Sequence, residues 1–195
     1  DTYNISYNLN GGTADNPDTY QVDSKVIILN TPVRTGYTFA GWSGTGIDGV
    51  VEEAVITTGS TGDRTYTANW IENSYTIQFI PYGSGTTGSM NEMVLKYTDT
   101  VAISSNNFKR PGYTFIGWST TAGGDKKYSD NEVISSLTTG NGERITLYPV
   151  WTANNYTVHF DTKGDAIDDV VYTYDKKYQL PTATRFGYTF LGWCV

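Results

Sequence analysis

One seven-residue motif occurs three times and constrains the fold of this chain more than any other feature. It reads GYTFAGW at 36–42, GYTFIGW at 112–118 and GYTFLGW at 187–193, with one variable position. The closing tryptophans, Trp42, Trp118 and Trp193, are separated by 76 and 75 residues. A fixed period of this length predicts tandem copies of one small structural unit.

Other landmarks recur with the motif. Apolar and polar residues alternate in YNISY at 3–7, YTIQF at 75–79 and YTVHF at 156–160, which predicts a half-buried strand. A closing segment, TYTANW at 65–70 and TLYPVW at 146–151, has no counterpart in the third copy. These landmarks predict a first unit over 1–73, a second over 74–154 and a truncated third over 155–195.

Between these landmarks, the pattern predicts a turn that leads into a second strand. Its three aligned sets of apolar residues are Val22, Val26 and Ile28, then Tyr97, Val101 and Ile103, then Tyr174, Tyr178 and Leu180. Ser129–Glu132 resembles a capping box and allows a short helical turn. The remaining pattern is that of strands and turns, so the predicted fold class is mostly β.

The motif aromatics have two interpretations. Strand alternation places Tyr37 and Phe39 in the core and Ala40 and Trp42 on the other face under a loop, with Gly41 allowing a bulge or close approach of another backbone. Small units need such large side chains to bury enough surface. A ligand-stacking aromatic platform is the alternative.

The joints between units are short. Four residues separate Trp70 from Tyr75, and four separate Trp151 from Tyr156. Short connections leave little conformational freedom, so we expect an elongated rod of tandem units rather than beads on a flexible string.

These motifs resemble those of the Listeria–Bacteroides repeat, the B-repeat family of internalin-type bacterial surface proteins. The first unit carries the resemblance in YNISY at 3–7, NGG at 10–12, TPVRTGYTFAGW at 31–42 and the closing Trp70. The second unit departs from it with PYGS at 81–84, and the third with KGD at 163–165. The resemblance implies small β-grasp-like modules on the outside of a bacterium, at the cell surface or in the cell wall, without catalytic residues.

The composition excludes several classes of function. The net charge is −7, the isoelectric point is about 4.6 and no basic run exists, which argues against nucleic-acid binding and against anionic membranes. His159 and Cys194 each occur in one unit only, opposite Ser6 and Ser43, so neither indicates a nucleophile or its base. We expect no enzyme, no catalytic or metal-binding residue, no cofactor and no membrane insertion in this part of the chain.

Two functions remain open at this stage. The first is a non-catalytic spacer or stalk of a secreted or cell-surface protein, with a role in adhesion. The second is a binding module for a host glycan or host protein, through exposed aromatics or edge strands. The sequence names no ligand-binding residue and leaves the oligomeric state open. The third unit lacks a closing strand, so we expect it to be the least stable unit or to be completed by another molecule.

Overall fold

The computed structural model describes residues 1–194, and every regular element among them is a β-strand, which confirms the mostly-β prediction. The first repeat contains β1 (Thr2–Asn8), β2 (Thr19–Gln21), β3 (Ile27–Ile28), β4 (Tyr37–Gly44), β5 (Val55–Ile56) and β6 (Arg64–Glu72). The second contains β7 (Ser74–Phe79), β8 (Met93–Lys96), β9 (Thr100–Ala102), β10 (Tyr113–Ser119), β11 (Val133–Ser135) and β12 (Glu143–Ala153). The third contributes β13 (Asn155–Val158) and β14 (Val170–Thr173).

The first repeat forms a four-stranded sheet with the order β2–β1–β6–β4. The central pair, β1 and β6, is parallel, and both outer pairs are antiparallel. The short strands β3 and β5 form a separate antiparallel pair. Because β1 and β6 come from opposite ends of the repeat, its core closes only when the last strand is in place.

The second repeat shows the same arrangement. Its four-stranded sheet has the order β8–β7–β12–β10, and β9 pairs with β11 as β3 pairs with β5. The sequence period therefore corresponds to a period in strand topology.

The chain divides into two compact units. One contains residues 1–78, 92–103 and 132–145, and the other contains 79–91, 104–131 and 146–194. The repeat boundaries at 73/74 and 154/155 stay predictions from the sequence.

Trp42 lies at the centre of the first core with no exposed surface. Its ring contacts those of Tyr7, Phe39 and Tyr66 at centroid distances of 6.2, 5.4 and 6.5 Å. The buried apolar residues around it include Ile5, Tyr20, Leu29, Ala54, Ile56 and Ala68. Of the two interpretations of the motif aromatics, the burial of Trp42 therefore supports packing inside the unit rather than a ligand-stacking platform.

The predicted division of the motif between two faces is wrong. The β4–β6 register shifts between Phe39 and Gly41, so a β-bulge breaks the alternation and brings Trp42 to the same side as Phe39. A Cβ at Gly41 would lie 2.6 Å from the carbonyl oxygen of Val51, so this position needs glycine. The predicted bulge and close approach at this glycine are both found. Tyr37 lies outside the core.

Trp118 is the counterpart of Trp42 and is equally buried. The rings of Phe79, Phe108 and Phe115 surround it at centroid distances of 5.0, 6.1 and 4.9 Å. The β10–β12 register shifts between Phe115 and Gly117, which repeats the bulge of the first unit.

One further prediction needs correction, and one possibility that the sequence left open is decided. Ile28 is 55% exposed, and the buried counterpart of Ile103 is Leu29, because the first repeat has one more residue in the preceding turn. Leu29 donates its N–H to Ala54 as Ile103 donates to Glu132. No helical turn forms at 129–132, since Asn131 takes a positive φ of 56° and β11 follows.

Candidate functional site: the joints between repeats

His159 and Cys194, to which the sequence pattern assigns no catalytic role, both line one open cavity of the third repeat. His159 is exposed, and its Nδ1 lies 2.6 Å from Asp169, while Cys194 is exposed and carries a free thiol. Within residues 1–194, no group of three or more His, Cys, Asp or Glu side chains is placed to hold a metal ion. That same part of the chain contains no helix of the length and hydropathy needed to cross a membrane.

The most distinctive geometry lies where one repeat passes into the next. Only Asn73 separates β6 from β7, and only Asn154 separates β12 from β13. Each joint is thus a single residue between two consecutive strands. The contacts around Asn73 are called the first joint, and the contacts around Asn154 are called the second joint.

Backbone hydrogen bonds hold the first joint from both sides. Asn73 donates its N–H to the carbonyl of Gly36 at 3.0 Å and accepts the N–H of Tyr97 at 2.9 Å. Its side chain accepts the hydroxyl of Thr38 at 2.6 Å and donates to the carbonyl of Thr139 at 2.8 Å. Because Asn73 is 7% exposed and its polar groups have partners, the residue ties both repeats together.

A stack of side chains covers the first joint. The Arg34 guanidinium lies 3.6 Å from the ring centroid of Tyr37. Tyr37 in turn meets Tyr97 of the next repeat edge-on, with centroids 6.2 Å apart and ring planes at 69°. Cation–π and edge-to-face aromatic contacts are both favourable, so the two repeats share one stack.

Gly36 allows the two repeats to come this close. It has a φ of +76°, and an added Cβ would lie 2.1 Å from the Tyr97 ring. Any side chain here would strain the backbone and displace the tyrosine.

The second joint repeats the backbone bonds, the threonine bond and the aromatic stack of the first. Asn154 donates to Gly112 at 2.9 Å and accepts from Tyr174 at 2.8 Å, while its side chain accepts the Thr114 hydroxyl at 2.6 Å. The stack consists of Arg110, Tyr113 and Tyr174, with the arginine 3.5 Å from the Tyr113 centroid and the tyrosine centroids 5.6 Å apart. The two backbone bonds, the Thr hydroxyl bond and the Arg–Tyr–Tyr stack recur at both places, which indicates a built connection rather than a chance one.

One further polar contact differs between the joints. At the first, Glu72 accepts hydrogen bonds from the hydroxyl and the N–H of Thr98, and these hold the pKa of its carboxyl below the usual range. At the second, the Tyr113 hydroxyl donates to Asp175 at 2.7 Å, and this bond raises the pKa of that phenol. Both groups keep their ordinary charge at neutral pH.

The sequence predicted short joints but not the residues that build them. Tyr37 was assigned to the core, whereas it belongs to the first joint. The sequence contains one signal for the residues of the joint. The first repeat, which follows no joint, has Val22 at the position where the later repeats, which each follow a joint, have Tyr97 and Tyr174.

Aromatic exposure separates the first two repeats from the third. Over residues 1–154, all of them described, Tyr82 is the one aromatic residue in the exposed class. The third repeat exposes Tyr156, Tyr174, Tyr178, Phe186, Tyr188 and Phe190. The complete repeats therefore present no cluster of solvent-facing Trp or Tyr.

Comparison with known proteins agrees with this architecture. The model of the Listeria-Bacteroides repeat domain matches residues 3–68, 75–149 and 156–195. A putative membrane protein of Evansella cellulosilytica is 28% identical over 98% of the chain, and a putative Gly-rich membrane protein of that organism is 35% identical over 82%. Internalin H of Listeria monocytogenes is 38% identical over 43% of the chain.

The chain spans only a small part of these relatives: 28% and 19% of the two Evansella cellulosilytica proteins and 14% of internalin H. The three matches to the family model, in contrast, cover most of the 195 residues, and each begins at the first strand of a repeat. This chain therefore belongs to the Listeria-Bacteroides repeat domain family.

Proposed function

We propose that this chain is a non-catalytic spacer of a bacterial cell-envelope protein, in which tandem repeats hold a distal part of the molecule away from the cell. The family is typical of bacterial surface proteins, and the relatives are named as membrane proteins and an internalin, which supports a cell-surface location. The observation that carries the proposal is the joint, built twice from the same contacts.

A spacer must resist bending, and the joint contacts act against bending. In a flexible linker, the connecting residues would be exposed and free of contacts to either neighbour. Asn73 instead is buried and bonded on both sides. It donates its N–H to Gly36 and accepts the N–H of Tyr97, and these two hydrogen bonds restrict its backbone. In the first repeat, the parallel central strand pair with antiparallel flanks also supports a β-grasp-like module.

This proposal predicts an elongated molecule. Small-angle X-ray scattering of the 195-residue chain should give a radius of gyration well above the roughly 16 Å of one compact domain of this length. A concentration series separates the shape of the monomer from association. A monomer with a radius of gyration near 16 Å would contradict the spacer proposal.

Adhesion to a host protein or glycan is the second candidate. This role needs solvent-facing aromatic side chains or a free sheet edge. In the complete repeats, the buried Trp42 and Trp118 speak against a sugar-stacking platform. We therefore propose the spacer role for the complete repeats.

A further inference from the structure

The chain enters and leaves the first repeat through two strands that lie side by side. β1 begins at Thr2, and β6 ends at Glu72, one residue before β7 begins. The two strands are parallel neighbours, with residues 5–8 of β1 opposite residues 64–67 of β6. Because parallel strands point the same way, the entry and the exit of the repeat lie at opposite ends of one strand pair.

Tension along the chain loads this pair in a defined direction. A pull on both ends of the repeat draws β1 toward its first residue and β6 toward its last residue, so the two strands must slide past each other. In this shear direction all bonds between the strands carry the load together. When two strands are pulled from the same end, in contrast, their bonds open one after another, and each step needs little force.

Side-chain bonds reinforce the start of the pair. Asn4 in β1 donates its N–H to the Asp63 carboxylate at 2.7 Å. Tyr20, from the strand that flanks β1, donates its hydroxyl to the carbonyl of Gly62 at 2.6 Å and accepts the Nε–H of Arg64 at 3.1 Å. The first part of β6 is therefore bonded both to β1 and to the strand beside it.

The end of the pair is reinforced as well. The Asn10 side chain donates to the carbonyl of Ala68 at 3.0 Å, and Trp70 donates its Nε1–H to the carbonyl of Leu9 at 3.0 Å. Both bonds join β6 to the residues that follow β1. The parallel pair and the side-chain bonds at its two ends, over residues 4–10 and 62–70, are called the shear clamp.

The core protects the shear clamp from water. Ile5, Tyr66 and Ala68, which all belong to its two strands, are buried in the core around Trp42. A hydrogen bond that water cannot reach has no replacement partner when it is stretched. The core must open before water can replace these bonds, so the shear clamp breaks as one unit.

We infer that the first repeat is a load-bearing element, in which the shear clamp resists tension along the chain. This role rests on the proposed spacer function, since a spacer between a cell and a distal part of the molecule carries any pull on that part. Only Asn73 separates β6 from β7, so tension leaves the shear clamp through one residue and enters the next strand without extending a linker.

Single-molecule force spectroscopy tests this role in the whole 195-residue chain, after Cys194→Ser removes the free thiol. Handles at Thr2→Cys and Ile71→Cys load opposite ends of the shear clamp. Handles at Thr2→Cys and Thr61→Cys load the same end, because the β1–β6 register, continued backwards, sets Thr61 opposite Thr2. The three attachment residues are exposed, so the handles leave the fold intact.

The lifetime of the folded repeat at constant force should depend on the pulling direction. We expect it to be at least about tenfold longer under opposite-end load, because the unfolding rate governs forced unfolding and several hydrogen bonds must break at once. In both directions, opening releases on the order of 200 Å of chain, which identifies the event as unfolding of the segment between the handles.

One variant tests the far end of the shear clamp. Asn10→Gly removes the bond to Ala68, and glycine suits the positive φ of 48° at this position. It should shorten the lifetime at least about threefold under opposite-end load. Under same-end load from Thr2 that bond breaks last, so the lifetime should not change. Asp48→Asn, in an exposed loop outside the shear clamp, should alter neither lifetime.

Equal lifetimes in the two directions, or a longer lifetime under same-end load, would overturn the load-bearing role. An equal effect of Asn10→Gly in both directions would also overturn it, because the bond would then contribute only to overall stability. The radius of gyration decides the spacer function separately. An elongated chain with equal lifetimes in both directions would keep the spacer function and exclude the shear clamp.

Discussion

Replacing Trp118 with alanine should lower the free energy of unfolding by about 3–5 kcal/mol, the range for a large aromatic removed from a packed core. The indole has no exposed surface and packs against Phe79, Phe108 and Phe115. Its truncation leaves a cavity that these rings cannot fill without leaving their own positions. Urea unfolding measures the loss directly.

Two control variants identify the cause of this loss. Ile116→Ala lies two residues away in the same strand, and because Ile116 is 42% exposed, we expect it to cost under about 1 kcal/mol. Trp118→Phe should cost less than the alanine change, because the indole N–H has no acceptor among the described residues and its removal leaves no partner unpaired. A loss under about 1 kcal/mol for Trp118→Ala would contradict the core assignment.

Replacing Gly36 with alanine should destabilise the chain by more than the same change at Gly187. The two glycines occupy one motif position and have the same φ of +76°, so the backbone strain, about 1–2 kcal/mol, is common to both. They differ in surroundings: a Cβ at Gly36 would lie 2.1 Å from the Tyr97 ring, whereas nothing lies within 4 Å at Gly187.

The difference between these variants isolates the contribution of the joint. Displacement of Tyr97 removes its edge-to-face contact with Tyr37, worth about 0.5–1.5 kcal/mol, and strains its N–H bond to Asn73. We therefore expect Gly36→Ala to exceed Gly187→Ala by about 1 kcal/mol or more in urea unfolding. Equal losses would show that the tyrosine stack adds nothing to the joint.

The sequence revealed the repeat and its strands but not all of their contacts. Strand alternation correctly predicted β1 and β7, because a period of two needs only local information. It failed at Trp42, because the bulge at Gly41 depends on the backbone of Val51 from a distant loop. The predicted position of Tyr37 in the core is also wrong. Its ring packs against Tyr97, which is 60 residues further along the chain and which a local pattern cannot identify as a partner.

The distance distribution across the first joint tests the spacer proposal most directly. Spin labels at Asp48 and Ser135, both exposed, place one probe in the first repeat and one in the second, after Cys194→Ser removes the free thiol. Pulsed electron paramagnetic resonance should give one narrow distribution that broadens in Gly36→Ala and stays narrow in Gly187→Ala. A broad distribution in the parent chain would show that the joint bends freely and would contradict the spacer proposal.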